Sequence, residues 1–228
     1  MILSSADEQF LASRLKFWDK LSPEEKRSII ASSSTVHYSA QYRLRTGDRS
    51  CIGIIAIKNG QLRVSILSPE GRDITLFRLS SGQVCVLSAA CILDAITFDI
   101  CIESESETDA LIVKADMFRR LSETNIYMKE FSYELAAERF SEVMWTMQQI
   151  LFMKFDQRLA VFLLRETEKN GNLHINLTHE QIARYTGSAR EVVTRMLNYF
   201  SSENIVALSR GTVTVLDNVK LKKIAGNI

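Results

Sequence analysis

The sequence predicts an α+β protein in three consecutive parts: a β-rich N-terminal domain, a long helix and a mainly helical C-terminal domain. Three observations support this. Short apolar runs rich in Ile, Val and Phe alternate with turn residues from about residue 35 to residue 113. No glycine or proline occurs between residues 115 and 151. Helix-capping patterns recur through the remainder of the chain. We place the parts at residues 1–120, 121–154 and 155–228.

Composition indicates a globular protein without a membrane anchor. Of 228 residues, 46% are hydrophobic and 24% charged, and no apolar run reaches the ~18 residues of a membrane span. The N-terminus turns acidic at once and has no secretory signal pattern, so we expect a cytoplasmic protein. In that compartment the four cysteines, at positions 51, 85, 91 and 101, are expected to be reduced thiols. The net charge of +1 decides nothing about nucleic acid.

Turn signals organise the first part into strands. Ser22 is placed to cap a short helix that begins at Pro23. Asn59-Gly60 lies between two apolar segments and predicts a β-hairpin, and residues 69–71 predict a second one. Several short strands with regularly spaced turns favour a jelly-roll or cupin-like β-barrel.

The second part is predicted to be a helix of about 25 residues that pairs with its own copy. Such a helix is too long for one small barrel to cover its whole apolar face, which favours a homodimer. The alternative is a helix packed entirely on its own barrel. The predicted dimer face consists of Phe131, Leu135, Phe140, Val143, Met144, Met147 and Ile150.

The third part carries the pattern of a helix-turn-helix. Residues 178–181 and 188–191 each match a capping box that opens a helix, and Gly187 lies in the tight turn between them. Asp156 is placed to cap the preceding helix, which should end at Gly171. A third hairpin, turning at residues 210–211, follows as the wing of a winged helix.

Three charged residues lie where such a second helix, the recognition helix, meets the major groove. Arg190 and Arg195 could each grip guanine through two donors, and Glu191 could accept from cytosine. The alternative is a solvated helix on which Glu191 and Arg195 form an i,i+4 ion pair.

The stretches LTHEQIARYTGSAREVVTRMLNYF and SRGTVTVLD resemble the Crp/Fnr transcription regulators, and the resemblance extends over nearly the whole chain. It implies a cyclic nucleotide-binding-like sensor barrel and a bacterial homodimer on palindromic double-stranded DNA. Half-sites near TGTGA or TTGA, one helical turn apart, are implied, as is contact with RNA polymerase. The cyclic-AMP-binding members carry Arg-Glu and then Arg at this spacing, which implies that Arg190, Glu191 and Arg195 read bases.

The same resemblance implies a phosphate-contacting set. Thr178, His179 and Ala189 are expected to lie near DNA phosphates. Ala189 lacks the hydroxyl that some relatives have at this position, so only its backbone N–H is left to donate.

The sensor segment departs from the cyclic-nucleotide pattern of the family. Gly82 matches, but Gln83 replaces a glutamate, and no arginine occurs between Arg78 and Lys114. We therefore do not expect cyclic AMP. The cysteine spacing does not suit an iron–sulfur cluster, and a single histidine, His37, precedes residue 174, which disfavours haem. The effector and any cofactor stay unknown.

Cys85 and Cys91 bracket the segment where the family places its effector-binding helix. A disulfide between them could report oxidation and shift the dimer helix. The alternative is that both thiols simply pack in an apolar core.

The sequence shows no clustered histidines for a metal, no Gly-rich phosphate loop and no nucleophile elbow, so we expect neither catalysis nor a bound metal. The predicted function is DNA-binding transcription regulation controlled by a small molecule or a redox signal sensed in the barrel. The alternative is a winged-helix module that binds another protein instead of DNA.

Overall fold

The structure is a computed structural model that describes residues 3–45, 53–68, 73–85 and 100–226. It divides into two compact units. Met1–Leu67 and Leu76–Val143 form the N-terminal unit, and Ser68–Thr75 and Met144–Ile228 form the C-terminal unit. The two units are defined by their compactness, and the functional boundaries at residues 120 and 154 stay a prediction.

The N-terminal unit begins with two helices, α1 (Ser5–Arg14) and α2 (Pro23–Ala31), separated by a 3-10 turn at Trp18–Lys20. Ser22 caps α2 as predicted. Its hydroxyl accepts from the Glu25 N–H at 3.2 Å, and the Glu25 carboxylate accepts from the Ser22 N–H at 2.7 Å. This reciprocal cap satisfies two backbone donors at the helix start.

The strands of this part form two four-stranded sheets. In chain order, the described strands are β1 (Ser33–Tyr38), β2 (Arg43–Arg45), β3 (Ile54–Asn59), β4 (Gln61–Leu67), β5 (Asp73–Ser80), β6 (Val84–Cys85), β7 (Cys101–Ser104) and β8 (Thr108–Val113). One sheet has the order β1-β8-β3-β6 and the other β2-β7-β4-β5. The two sheets fit the predicted jelly roll, although the described strands do not close into a barrel.

Strand β3 is buried on both faces. Ile54 and Ala56 join the apolar cluster that includes the helices, whereas Ile55 and Ile57 join the cluster shared with the second sheet. Successive strand residues point to opposite faces, so a strand covered on both sides must be apolar at every position. This explains the unbroken apolar run in the sequence.

The hairpin predicted at Asn59-Gly60 is wrong. β3 pairs with β6 and β8, whereas β4 pairs with β7 in the other sheet, so the chain changes sheets at Gly60. Gly60 has φ +93°, and a Cβ there would lie 2.4 Å from the Glu107 carbonyl oxygen. A glycine turn signal is local and does not specify which strands pair. The second predicted hairpin joins the neighbouring strands β4 and β5, and its turn at 69–71 lies outside the described residues.

The predicted long helix is confirmed. Asn125 separates α3 (Ala115–Thr124) from α4, which runs for 27 residues over Ile126–Phe152. The Asn125 side-chain oxygen accepts from the Tyr127 and Met128 N–H groups at 3.1 and 3.4 Å, which caps the new helix. Within the described ranges no helix is both long and apolar enough to cross a membrane.

Besides the end of α4 and the start of β5, the described residues of the C-terminal unit form four helices and a small sheet. They are α5 (Phe155–Asn170), β9 (His174–Ile175), α6 (His179–Thr186), α7 (Arg190–Ser202), β10 (Val206–Ser209), β11 (Thr212–Val215) and α8 (Asn218–Ala225). The three strands pair in the order β10-β11-β9.

The start of α5 differs from the prediction. Lys154 is the N-cap, with its N–H bonded to the Gln157 side chain at 3.1 Å. Asp156 lies inside the first turn and accepts from the Gln157 N–H at 2.9 Å. A carboxylate is favourable at either position, so the sequence pattern did not separate them. The predicted end is confirmed, because Gly171 has φ +64°.

Candidate nucleic-acid interface

Helix α6 starts with the predicted capping box. The Thr178 hydroxyl accepts from the Gln181 N–H at 3.2 Å, and the Gln181 amide oxygen accepts from the Thr178 N–H at 2.8 Å. The helix ends at Gly187, whose φ of +62° is the left-handed conformation that glycine adopts most easily. Both features confirm the first half of the predicted helix-turn-helix.

The recognition helix α7 begins one residue later than the second capping pattern predicts. Ser188 lies in the turn, where its N–H bonds to the Ala183 carbonyl at 3.0 Å. Ala189 is the N-cap and has no side chain that could accept from the first turn. The sequence pattern predicts the cap at Ser188, but the N–H of Ser188 closes the turn that follows α6, so the cap falls on the next residue.

Helix α7 separates its buried and exposed residues cleanly. Its core positions Val193, Leu197 and Phe200 are fully buried in the C-terminal unit. The opposite face forms a shallow groove of about 390 Å³ lined by Arg190, Glu191, Thr194, Arg195 and Asn198. The three residues predicted to read bases are therefore brought together on one exposed face.

The alternative for these charges was an ion pair along the helix. In the described part of the chain, Glu191 and Arg195 form no ion pair with each other, whereas Glu180 and Arg184 on α6 do so at 3.9 Å. The Glu191 and Arg195 side chains are both exposed, so their donors and acceptors are free to meet a partner.

The predicted wing is confirmed as β10 and β11, which pair antiparallel around Arg210 and Gly211. Gly211 has φ +77°. Between the wing, the start of α6 and the start of α7 lies a cleft of about 450 Å³. It is lined by Leu177, Thr178, His179, Glu180, Arg190, Ser209, Gly211, Thr212 and Val213.

Two of the three residues expected near phosphates, Thr178 and His179, lie in this wing cleft. The Thr178 hydroxyl already takes part in the α6 cap. His179 is half-buried, and its Nδ1 lies 2.9 Å from the Thr194 hydroxyl on α7. Burial lowers the pKa of the His179 imidazole below its ordinary value, and the positive charge of Arg190 lowers it to a smaller extent. Ala189 is exposed at the N-cap of α7.

The predicted dimer face on α4 needs correction. Phe131 and Leu135 are buried in the core of the N-terminal unit, with Phe17 stacked edge-on 5.1 Å from the Phe131 ring. Val143 is half-buried and packs against the cluster between the two sheets. Phe131 and Leu135 are covered by their own chain, so they are not available to a second copy, whereas the role of the half-buried Val143 stays a prediction.

The exposed apolar residues of α4 include Ile126, Tyr127 and Phe152 near its ends, and six others that follow a regular register. The spacing of these six alternates between four and three residues, and they are Tyr133, Ala137, Phe140, Met144, Met147 and Leu151. We call this set the α4 seam. Phe140, Met144 and Met147 belong both to the seam and to the predicted face, whereas Ile150 is half-buried beside it. A 3-4 repeat is the spacing that two supercoiled helices present to each other.

The predicted sensor residues form a tight turn in the described part of the chain. Gly82 has φ +85°, and the Gln83 amide oxygen accepts from the Ser80 N–H at 2.7 Å. Cys85 is buried in the cluster between the sheets and forms no disulfide. Cys91 lies outside the described residues, so its pairing with Cys85 stays a prediction.

Within the described residues, no three His, Cys, Asp or Glu side chains lie together in a group that could hold a metal ion.

The residue sets predicted from the sequence omit four residues of these two faces. Asn198 shares the exposed face of α7, one turn after Arg195. Tyr133 and Leu151 extend the α4 seam at both ends, and Ala137 lies between Tyr133 and Phe140. Counting positions in steps of three and four from Arg190 or from Phe140 would have found all four.

Comparisons with known proteins agree with this architecture. A family model described as a Crp-like helix-turn-helix domain matches residues 157–224. A solved chain from Eubacterium rectale ATCC 33656, described as a transcriptional regulator of the Crp/Fnr family, is 40% identical. It matches with a TM-score of 0.88 over 94% of this chain and 100% of that chain. The transcriptional activator protein Anr of Pseudomonas protegens is 23% identical over 197 residues, 82% of this chain and 78% of Anr.

A more distant likeness supports the fold alone. The c-di-GMP responsive global regulator CLP from Xanthomonas campestris is 13% identical, with a TM-score of 0.72 over 86% of this chain and 100% of CLP.

A jelly-roll domain, a long helix and a winged helix-turn-helix in one chain define a DNA-binding regulator. The chain belongs to the Crp/Fnr family of transcription regulators. Members of this family bind DNA, act as dimers and are not enzymes, and the expected class of function is thereby confirmed.

Proposed function

We propose that the chain is a homodimeric transcription regulator that reads a palindromic DNA site under the control of a signal received in its N-terminal part. Residues 1–120 sense the signal, residues 121–154 form the dimerisation helix and hinge, and residues 155–228 bind DNA. The observation that carries the proposal is the exposed face of α7, where Arg190, Glu191 and Arg195 line one groove.

The side chains on this face suit direct reading of base edges. Arginine can donate two hydrogen bonds to guanine, and a carboxylate can accept from cytosine. Arg190, Glu191 and Arg195 are the base-reading residues of the proposal. Asn198, one turn further along, adds an amide of the type that pairs with adenine.

Phosphate contacts would fix the register of the helix on the duplex. Thr178 and His179 lie in the wing cleft, and Ala189 offers its backbone N–H at the exposed start of α7. The positive end of each helix dipole favours a phosphate at these positions.

The α4 seam gives a homodimer its interface. Two copies related by a two-fold axis would present two recognition helices to half-sites one helical turn apart. Palindromic sites with half-sites near TGTGA or TTGA suit this arrangement, and contact with RNA polymerase is the expected route to transcription.

The signal is a small molecule or a redox change, sensed around Gly82, Gln83, Cys85 and Cys91. CLP, which shares the fold, is c-di-GMP responsive. A signal acts here only through its different affinity for two arrangements of the dimer. The cofactor and the effector are unknown.

The test is base preference in Arg195→Ala. Duplexes are first selected from a random pool by the wild-type protein, and binding is then measured to each single-base variant. Loss of Arg195 should weaken binding by about 1–3 kcal/mol and remove the preference at one base pair of each half-site. Lys223→Ala, which removes an exposed positive charge from α8, should keep every preference.

The salt dependence separates DNA binding from the alternative. Phosphate contacts make log K fall linearly with log salt concentration. If no duplex is selected and binding to DNA does not depend on salt, the winged helix serves as a protein-interaction module instead. If Arg195→Ala keeps wild-type preferences, the assignment of base-reading residues is wrong.

A further inference from the structure

One hydrogen bond that connects the two helices of the helix-turn-helix has a titratable partner, the imidazole of His179. The Thr194 hydroxyl lies 2.9 Å from the Arg190 carbonyl oxygen and 2.9 Å from His179 Nδ1. A carbonyl only accepts, so the single hydroxyl proton of Thr194 is donated to Arg190. The hydroxyl oxygen must then accept from His179, which assigns the proton to Nδ1.

This assignment determines what the other ring nitrogen can do. A neutral imidazole with its proton on Nδ1 has a lone pair on Nε2, whereas the imidazolium has an N–H there. Among the described residues Nε2 has no hydrogen-bond partner, and the ring lines the wing cleft. A phosphate oxygen is an acceptor, so it can bind Nε2 only when His179 is protonated.

The charges around the ring favour the neutral form in the free protein. Arg190 faces His179 from α7, and Glu180 is its neighbour on α6. The wing contributes Ser209, Gly211 and Thr212, which are uncharged. Burial and Arg190 together lower the pKa of His179, and a DNA phosphate in the cleft would act in the opposite direction.

We propose that His179 links DNA binding to proton uptake: Nδ1–H positions α7 through Thr194, and Nε2–H donates to a DNA phosphate when the ring is protonated. This rests on the proposed DNA-binding function and adds a pH response to it. Affinity should rise as the pH falls through the pKa of His179 in the complex, and should level off below the lower pKa of the free protein.

The experiment measures affinity for the selected duplex from pH 6 to pH 8 at fixed ionic strength. Binding takes up at most about one proton per protomer at this site, and a pKa rise of about one unit on binding corresponds to tenfold in affinity. We expect wild-type affinity to fall by about tenfold per protomer from pH 6 to pH 8.

Two variants isolate His179. His179→Asn keeps an amide donor near the position of Nδ1 but cannot titrate, so its affinity should not depend on pH and should stay below the wild-type affinity at pH 6. His174→Gln is the control, because His174 lies on β9 and bonds to Thr214 at 3.0 Å. It should keep the wild-type pH profile.

A second readout is the histidine NMR titration. The pKa of His179 should be higher in the DNA complex than in the free protein. If His179→Asn retains the wild-type pH profile, or if the pKa does not rise on binding, the proton linkage is wrong although DNA binding stands. If no duplex binds at any pH, the proposed function itself fails.

Discussion

Two glycines with positive φ show how much the surroundings of a single residue matter. A Cβ at Gly60 would lie 2.4 Å from the backbone oxygen of Glu107, whereas a Cβ at Gly211 would meet nothing within 4 Å. Their φ values, +93° and +77°, impose similar backbone strain on any other residue. The difference between the two positions is therefore steric.

This contrast gives a matched pair of substitutions. Gly211→Ala should lower the free energy of unfolding by about 1 kcal/mol, the cost of the left-handed conformation. Gly60→Ala should cost about 1–3 kcal/mol more, because backbone atoms of two strands must move apart. Urea denaturation followed by tryptophan fluorescence would measure both. Equal losses would contradict the close approach at the Gly60 corner.

At the residue scale, the sequence predicted conformations better than contacts. Gly171, Gly187 and Gly211 end helices or turn the wing as predicted, because a left-handed residue leaves a local signal. The same signal at Gly60 was misread as a hairpin. The deciding fact, that β3 and β4 pair in different sheets, depends on pairing with strands β8 and β7, whose partner residues lie 36 to 59 positions further along the chain.

At the scale of elements, α6 and α7 differ in how their first turns are satisfied. Thr178 caps α6 with its hydroxyl, whereas Ala189 at the N-cap of α7 has none. Capping side chains contribute about 0.5–2 kcal/mol. The recognition helix therefore begins with backbone donors that remain available to an external acceptor such as a phosphate.

Capping variants test this difference. Thr178→Ala should destabilise the protein by about 1 kcal/mol, and Ser188→Ala should change stability little, because Ser188 is not the cap. Ala189→Ser should stabilise by about 0.5–1 kcal/mol by adding the missing acceptor. Thermal unfolding of the three variants would measure the order. If Ser188→Ala costs as much as Thr178→Ala, the cap lies at Ser188, as the sequence pattern predicts.

The elements that depend on interactions local in sequence were predicted best. The long helix, the helix-turn-helix and the wing were all recognisable, because their periodicity and caps are local in sequence. The predicted start of α5 was wrong because Gln157 bonds to both candidate caps. Its side-chain oxygen accepts from the Lys154 N–H, and its own N–H donates to the Asp156 carboxylate. The grouping of the proposed base-reading side chains follows from the helix itself, since residues one turn apart share a face.

At the scale of the whole molecule, the exposed apolar face of α4 was the least predictable feature. Phe131 and Phe140 are equally apolar in sequence, yet Phe131 is 4% exposed and Phe140 is 67% exposed. Hydrophobicity predicts that a side chain will be covered, but not whether its own core or a second copy covers it. The α4 seam can be recognised only when it is known that Phe131 and Leu135 are buried in the chain's own core.

The α4 seam yields a test of assembly. Phe140→Glu or Met147→Glu would place a charge in an apolar helix pair, at a cost of about 3 kcal/mol or more per dimer. That corresponds to over ~100-fold in the dissociation constant of the dimer. Gln149→Glu adds the same charge outside the 3-4 series and should leave the dimer intact. Analytical ultracentrifugation at matched concentrations would measure the three variants.

The consequence for DNA reading follows from symmetry. A monomeric variant carries one recognition helix, so it should bind a single half-site as tightly as a palindrome and lose the preference for spacing by one helical turn. Its α7 face should still require Arg195, because that face lies within the C-terminal unit. A seam variant that stays dimeric and still prefers palindromes would show that the copies associate through another surface.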